Sequence, residues 1–318
     1  MVNIDREGAL LDRQQLETFA TVVQHKHFRR AAAALNISPG AVSQRIKALE
    51  ESVGAMLLMR EPTIVPTQAG DAILRYIMAV RLLEYDALQR IKPDRFPPMD
   101  FAIAVNADSL ATWFEPVAWQ LARQHVSLEI IVDDQDHTLT SLARGDVKGC
   151  ISTQRQPLPG FVAEFVGGMR YRCVAPPEFA GRHFANGFML ADALKVTAIL
   201  FNRKDALHDS FLKSFFGVAV GKYVKHYFPS PGALLNGILN GLGYGLVPAM
   251  QADPLIASGQ LVDLAPEQSL VVDLYWHHWE SEPPPAAKIS QLVMAHARHC
   301  LVQGYCSDES VSGHAKCG

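Results

Sequence analysis

Apolar residues recur at helical spacing twice in quick succession near the N-terminus. Phe28, Ala31, Ala32 and Leu35 form one stripe, and Val42, Ile46, Leu49 and Val53 form the next. Asn36-Ile37 breaks the pattern between them. Ser38 then offers an N-cap, and Pro39 suits the first turn that follows. The spacing predicts a helix-turn-helix, the unit that lays its second helix in a DNA major groove. The opposite face of that helix is polar. Gly40, Ser43 and Gln44 place short groups near its start for base edges, while Arg45 and Lys47 place cations further along for phosphates. A charged surface helix on an ordinary hairpin has the same pattern, so both readings stand on these residues alone.

The periodicity continues beyond Gly54. Met56–Arg60 suits a short strand entering a wing, and Thr67 is a plausible N-cap for a long helix from Thr67 to Ile91. Along that helix Ile73, Tyr76, Val80, Leu83 and Ala87 alternate by three and four, the seam of a two-helix coiled coil. Leu74, Ile77, Leu82 and Leu88 form a second stripe, so partners are needed on more than one side. Pairing with a second copy is favoured over packing within one chain, because a paired reader faces two half-sites. Pro93, Pro97 and Pro98 end the helix.

From Asp100 onward short apolar runs alternate with helical patterns. Strands are expected at Phe101–Val105, Leu128–Val132, Gly149–Ser152, Val196–Phe201, Tyr223–Phe228 and Gly245–Val247. Helices are expected near Leu110–Gln124, Leu139–Arg144, Asp205–Phe216 and Gly232–Leu242. This predicts two α/β units on parallel sheets, which bind ligands at the carboxyl ends of their strands. Polar clusters fall at those ends: Asn106, Asp108, Ser109 and Thr112; Asp133, Asp134 and Asp136; Ser152 and Thr153; Asn202 and Arg203; and Ser230 before a helix. Singly, each has a plain reading. Ser109 and Asp136 serve as caps, Asp133 and Asp134 as solvated turn residues, or Arg203 with Asp205 as an ion pair. Together they suggest one binding cleft.

Composition changes this picture little. The chain has 318 residues and a net charge of −3, enough length for two or three cored domains. Charge is uneven, however. Arg13, Lys26, Arg29, Arg30, Arg45, Lys47 and Arg60 outnumber Glu17, Glu50 and Glu51, giving a basic head compatible with phosphate binding. The five cysteines are scattered without a C-x-x-C pair, which suits a reducing cytoplasm better than disulfides or zinc. No export-type apolar run follows the start, and no stretch reaches the roughly 18 uncharged residues of a membrane span. A cytoplasmic protein without metal or cofactor is expected. Gly241-Leu-Gly243-Tyr-Gly245 follows a helix and precedes a strand, the reverse of a dinucleotide fingerprint, and is better read as a helix end and turn. His277 and His278 suit alternate faces of a terminal strand, and no hydrolase, metalloprotease or P-loop motif is present, so no enzyme is expected.

The N-terminal motifs, with Pro66-Thr67-Gln-Ala-Gly70, resemble the LysR-type transcriptional regulators. NADSLATWF at Asn106–Phe114, the acidic run at Asp133–Thr138, FNRKDALHDSFL at Phe201–Leu212 and LYWHHW at Leu274–Trp279 resemble the ArgP/LysG (IciA) branch, regulators of basic amino-acid export. The resemblance implies a winged helix-turn-helix over 1–68, a linker and dimerisation helix over 69–98, and an effector-binding domain of two Rossmann-like, periplasmic-binding-protein-like subdomains over 99–303. A disordered tail follows over 304–318. Double-stranded DNA is the implied macromolecular partner, with Arg29, Arg30, Ser38, Pro39, Gly40, Ser43, Gln44, Arg45, Lys47, Arg60 and Thr67 as its candidate contacts. Lysine or arginine is the implied effector, with Ser109 at its carboxylate and at least one of Asp108, Asp133, Asp134 or Asp136 at its cation. Homodimers through the linker helix, tetramers that bend the operator, and an altered handling of RNA polymerase complete the expectation. The competing readings are a metabolite-indifferent architectural or replication-inhibiting DNA binder, and a solute-binding domain carrying a helical head.

Overall fold

The computed structural model describes residues 11–60, 63–92, 98–124, 126–132, 135–220 and 222–304, the side chains of 135–137 excepted. Helices α1 (Arg13–His25), α2 (Phe28–Ala34) and α3 (Pro39–Val53) close around Phe19, Val22, Val42, Ile46 and Leu49, all fully buried. Ser38 Oγ accepts the Ala41 amide at 3.1 Å to start α3, and Gly54, at φ 71°, ends it in the left-handed conformation. Strands β1 (Leu58–Met59) and β2 (Val65–Pro66) pair antiparallel as the wing.

Helix α4 (Gln68–Ile91) begins at Thr67, whose Oγ accepts the Gly70 amide at 3.1 Å. Gly70 is a true packing requirement, since a Cβ there would lie 2.2 Å from the Leu57 carbonyl oxygen. The helix serves both halves of the chain. Leu74 and Ile77 enter the core of the reader, with Ile73 against it, whereas Leu82 enters the core of the C-terminal half. Tyr76, Leu83, Ala87, Leu88 and Ile91 remain exposed, and Val80 is half-buried. Of the expected seam, Ile73 is thus engaged within the chain, while Tyr76, Leu83 and Ala87 lie open.

The C-terminal half runs β3 (Met99–Ala104), α5 (Ala107–Ser109), α6 (Glu115–Ala122), β4 (Val126–Ile131), α7 (Gln135–Arg144), β5 (Gly149–Ser152), β6 (Phe161–Ala175), α8 (Pro177–His183), α9 (Leu190–Ala193) and β7 (Ala198–Leu200). It continues through α10 (Leu207–Phe216), β8 (Lys225–Tyr227), α11 (Pro231–Leu239), β9 (Tyr244–Pro248), α12 (Ala249–Ala257), β10 (Val262–Asp263), β11 (Leu270–Trp279) and α13 (Pro284–Cys300). A π turn over Leu110–Phe114 joins α5 to α6, just ahead of Pro116, which has no amide to donate.

The two expected α/β units are present, each with its parallel pairs, but they share one mixed sheet. One nine-stranded sheet has the order β4-β3-β5-β11-β6-β9-β7-β8, with β10 on β6. The parallel pairs β3/β4, β3/β5, β7/β8 and β7/β9 are present, but β11 and β6 run antiparallel through the middle and belong to both lobes. Strand β6 escapes pattern reading because Gly167-Gly168 interrupts its alternation. Those glycines are needed for packing: a Cβ at Gly167, where φ is 131°, would stand 2.6 Å from Leu301 Cβ. Strand β11 is fixed differently, by Trp276 lying over Gly149 and donating to Ser290 Oγ at 2.8 Å. In Gly241-Leu-Gly243-Tyr-Gly245, Gly241 takes φ 72° after α11, and Gly243 and Gly245 let β9 approach the backbone around β7.

Candidate functional site

Two surfaces are candidates, and they differ in construction. On α3, Pro39, Gly40, Ser43, Gln44 and Lys47 are all exposed on one face. Ser43 Oγ bonds back to the Pro39 carbonyl at 3.1 Å, and Lys47 sits 3.6 Å from Glu51 in open solvent, a weak pair that leaves the cation available. Arg29 and Arg30 are exposed at the start of α2.

Four of the expected DNA contacts already have structural work: Ser38 caps α3, and Arg45, Arg60 and Thr67 are held by their neighbours. Arg45 donates to Gln14 Oε1 at 3.0 Å and Thr18 Oγ1 at 3.4 Å, tying α3 to α1. Arg60 lies over the Phe28 ring at 5.5 Å and 3.9 Å from Glu50, whose other oxygen accepts the Leu57 amide. Thr67 Oγ1 donates to the Met56 carbonyl at 2.7 Å while it caps α4. Among the described residues, the expected cations of this face not held in the fold are Arg29, Arg30 and Lys47, the last only in its exposed pair with Glu51, with Ser43 and Gln44 beside it.

In the C-terminal half, a pocket open to solvent lies at the carboxyl ends of β3 and β7. Its polar lining comes from Asp108, Tyr171, Asp205, His208 and Gln251, with apolar walls such as Ile199, Leu234 and Leu246. Tyr171 Oη donates to Asp108 Oδ2 at 2.7 Å. Burial raises the Asp108 pKa, the tyrosine bond opposes that, and the Asp205 charge adds to the rise. A cation placed beside both carboxylates would favour their ionised forms and pull the Asp108 pKa back down.

Asn202 Oδ1 shapes the approach to Asp205 by accepting the Lys204 and Asp205 amides at 2.8 and 3.0 Å. Behind His208 stands a chain of bonded groups. Its Nδ1 is 2.8 Å from Tyr223 Oη, Tyr223 Oη donates to Asp209 Oδ1 at 2.5 Å, and Lys225 Nζ donates to both Asp209 oxygens at 2.9 and 3.0 Å. Burial pushes the His208 pKa down to about 4, so the ring is neutral. For Asp209, burial is outweighed by the bonds from Tyr223 and Lys225, and its pKa falls.

The expected effector residues are only partly gathered here. Asp108 lines the pocket; Ser109, Thr112, Ser152, Thr153, Asn202, Arg203 and Ser230 are not among its lining. Asn106, not Ser109, caps α5, by accepting the Ser109 amide at 3.2 Å, and Ser109 Oγ is buried without a hydrogen-bond partner among the described residues. Thr112 Oγ1 is bonded to the Asp108 carbonyl at 2.6 Å, Ser152 Oγ accepts the Gln154 amide at 3.1 Å, and Ser230 caps α11. Arg203 lies over the Tyr227 ring at 5.1 Å. Asp133 and Asp134, the side chain of Asp136, Pro93, Pro97 and the tail from 305 onward lie outside the described residues. Tyr171, Asp205, His208 and Gln251 were not among the candidates. Asp205 stood within a quoted motif, but Tyr171 is in the strand that pattern reading misses, and His208 and Gln251 look like ordinary helix residues.

Comparison with known proteins bears on both surfaces. The family described as bacterial regulatory helix-turn-helix protein, lysR family, matches residues 13–71, and the LysR substrate binding domain matches residues 101–298. A protein from Pseudomonas aeruginosa PAO1 named HTH-type transcriptional regulator ArgP is 40% identical over 298 residues, covering 92% of this chain and 98% of its own. Its namesake from Photobacterium profundum is 37% identical over 295 residues, covering 92% and 99%. Among solved structures, ArgP from Mycobacterium tuberculosis superposes with a TM-score of 0.83 at 36% identity, covering 92% of this chain and 99% of that one. Full-length LysG from Corynebacterium glutamicum with bound effector arginine superposes at 0.79 with 31% identity and the same coverage.

Proposed function

The chain belongs to the LysR family of bacterial transcriptional regulators, and on that premise we propose that its effector is a basic amino acid, lysine or arginine, and its output the control of basic amino-acid export. The observation behind this reading is the pair Asp108 and Asp205 in one pocket at the strand ends. A lone carboxylate there would be a turn residue, but two in a half-buried pocket favour an ammonium or guanidinium through charge-assisted hydrogen bonds. The arginine held by the C. glutamicum relative is consistent with that chemistry. Ser109 lies outside the pocket lining but next to Asp108, and its buried hydroxyl has no partner among the described residues; it is the proposed contact for the ligand's carboxylate.

The proposed reader is residues 1–68, with Gln44 and Ser43 on base edges and Arg29, Arg30 and Lys47 on phosphates. Residues 69–98 are proposed to pair two copies through Tyr76, Val80, Leu83 and Ala87, and 99–303 to bind the effector. Assembly into tetramers and an effect on RNA polymerase complete the proposal.

Calorimetry on the full chain tests the effector directly. Lysine or arginine should bind, norleucine should not, and Asp108→Asn should weaken the charged ligands selectively. If neither basic amino acid binds, or norleucine binds as well as lysine, the effector reading is wrong while the DNA-binding one stands. An operator footprint that bound arginine leaves unchanged would favour the metabolite-indifferent reading instead.

A further inference from the structure

The polar lining of the pocket is one-sided in hydrogen-bonding terms. Asp108 and Asp205 are carboxylates, and the phenolic proton of Tyr171 is already given to Asp108. Gln251 donates its amide to the Ala111 carbonyl at 3.4 Å, an atom that only accepts, so its own oxygen is the end left over; that oxygen is buried with no hydrogen-bond partner among the described residues.

His208 completes the set, and its neighbours decide which ring nitrogen holds the proton. A phenol has one proton, and the Tyr223 proton goes to Asp209, which Lys225 keeps ionised. Tyr223 Oη therefore faces His208 Nδ1 as an acceptor, and Nδ1 must supply the hydrogen. In the neutral ring that leaves Nε2 as a bare lone pair. Nε2 is buried, His208 is 2% exposed overall, and no hydrogen-bond partner for Nε2 exists among the described residues. An unpaired buried acceptor is costly, and the cost is relieved when a donor arrives.

We propose that His208 Nε2 is a specificity-determining hydrogen-bond acceptor for the cationic end of the effector, with Tyr223 and Asp209 as positioning residues that fix its tautomer. The proposal rests on the basic-amino-acid reading above and narrows it. Acceptors at Asp108, Asp205, His208 and Gln251 all line the pocket, on several different elements. A planar guanidinium with five donors meets separated acceptors, whereas a compact ammonium with three donors on one nitrogen meets fewer. Arginine is therefore the favoured ligand over lysine, and the His208 contact is part of the reason.

The test uses the full chain, with L-arginine and L-lysine as probes. In protein labelled with ¹⁵N-histidine, His208 should show a protonated Nδ1 and an unprotonated Nε2 when empty, and the Nε2 resonance should shift on saturation with arginine as its lone pair accepts a hydrogen bond. In calorimetry His208→Leu should weaken arginine by roughly tenfold and lysine by less, as expected for a lost hydrogen bond to a charged donor. Tyr223→Phe should weaken arginine several-fold and leave a mixture of tautomers at His208. A protonated Nε2 in the empty protein, or an Nε2 resonance unmoved by bound arginine, overturns the proposal even if every variant misfolds. An unchanged preference for arginine in folded His208→Leu also overturns it. If neither amino acid binds the wild-type chain, the proposal falls together with the effector reading; if both bind and only the His208 signals fail, the effector reading survives alone.

Discussion

In α3 the proposed DNA-contacting residues Pro39, Gly40, Ser43, Gln44 and Lys47 all come from one short stretch of chain and all face solvent. The pocket, in contrast, draws Asp108, Tyr171, Asp205 with His208, and Gln251 from four separate segments, and buries acceptors at His208 and Gln251 that have no partner among the described residues. A DNA-reading helix meets a partner larger than itself, so its chemistry stays outside and local helix geometry suffices to arrange it. A small ligand must be surrounded, so its chemistry comes from elements that meet only in the folded sheet. Even within the reader, side chains that look alike in sequence part company: Lys47 stays open, whereas Arg45 and Arg60 are held by α1, Phe28 and Glu50.

The largest expected effect separates the two regions outright. Gly70→Val places atoms where the Leu57 carbonyl stands 2.2 Å from the first of them, so the junction of wing and α4 must open at a cost of more than about 2 kcal/mol. Operator binding should be lost while calorimetry still detects arginine in the pocket. Loss of both together would mean that reader and pocket fold as one cooperative unit.

Next in size is the exposed flank of α4. Leu83 is 51% exposed and Val80 half-buried, so aspartate at both positions should spare the fold of one chain but place unpaired charge in a paired seam. Sedimentation should show monomers. A folded double variant that remains fully oligomeric would put the interface elsewhere.

Within the reader, Gln44→Ala should cost about 1–3 kcal/mol of discrimination at one base step. Lys47→Ala should instead weaken all sequences alike and reduce the slope of log affinity against log salt by about 0.9. Titrations against operator variants at several salt concentrations distinguish these outcomes; the same profile for both variants would dissolve the division between base and phosphate contacts.

The smallest effect concerns pH in the C-terminal half, where two buried histidines act in opposite senses. At His278 burial disfavours the charge, but the bond to Glu282 at 3.2 Å and the charges of Glu282 and Glu164 outweigh it and raise the pKa above 6.5. Its contribution is complete below about pH 6.5 and is lost as pH rises through the folded value. His208 is pushed down to about 4, so between pH 6.5 and 4 the unfolded chain gains a proton that the folded one refuses, and stability declines with acidification. Denaturant titrations across pH should give a maximum near neutrality. His278→Asn should remove the decline on the alkaline side only, and an unchanged profile would show that the Glu282 contact adds nothing.

Sequence alone determined the reader, the long helix and most strands of the C-terminal half. Ser38, Gly54 and Thr67 cap the elements that their residue types predict, and the buried stripe Val42, Ile46 and Leu49 lies as the spacing requires. Those features follow from interactions within a few residues, where one chain segment has little choice. Only the tertiary structure decided that β6 and β11 join the lobes into a single sheet, because glycines pressed by Leu301 and Val271 interrupt the alternation that would have revealed β6. It also decided which polar side chains face the pocket. Asp108 does while Thr112 bonds its own helix, Asp205 does while Arg203 lies over Tyr227, and His208 became an acceptor only when Tyr223 and Asp209 were folded behind it. A residue's type states what it can donate or accept; which of those capacities remain unspent depends on neighbours that are distant in the chain.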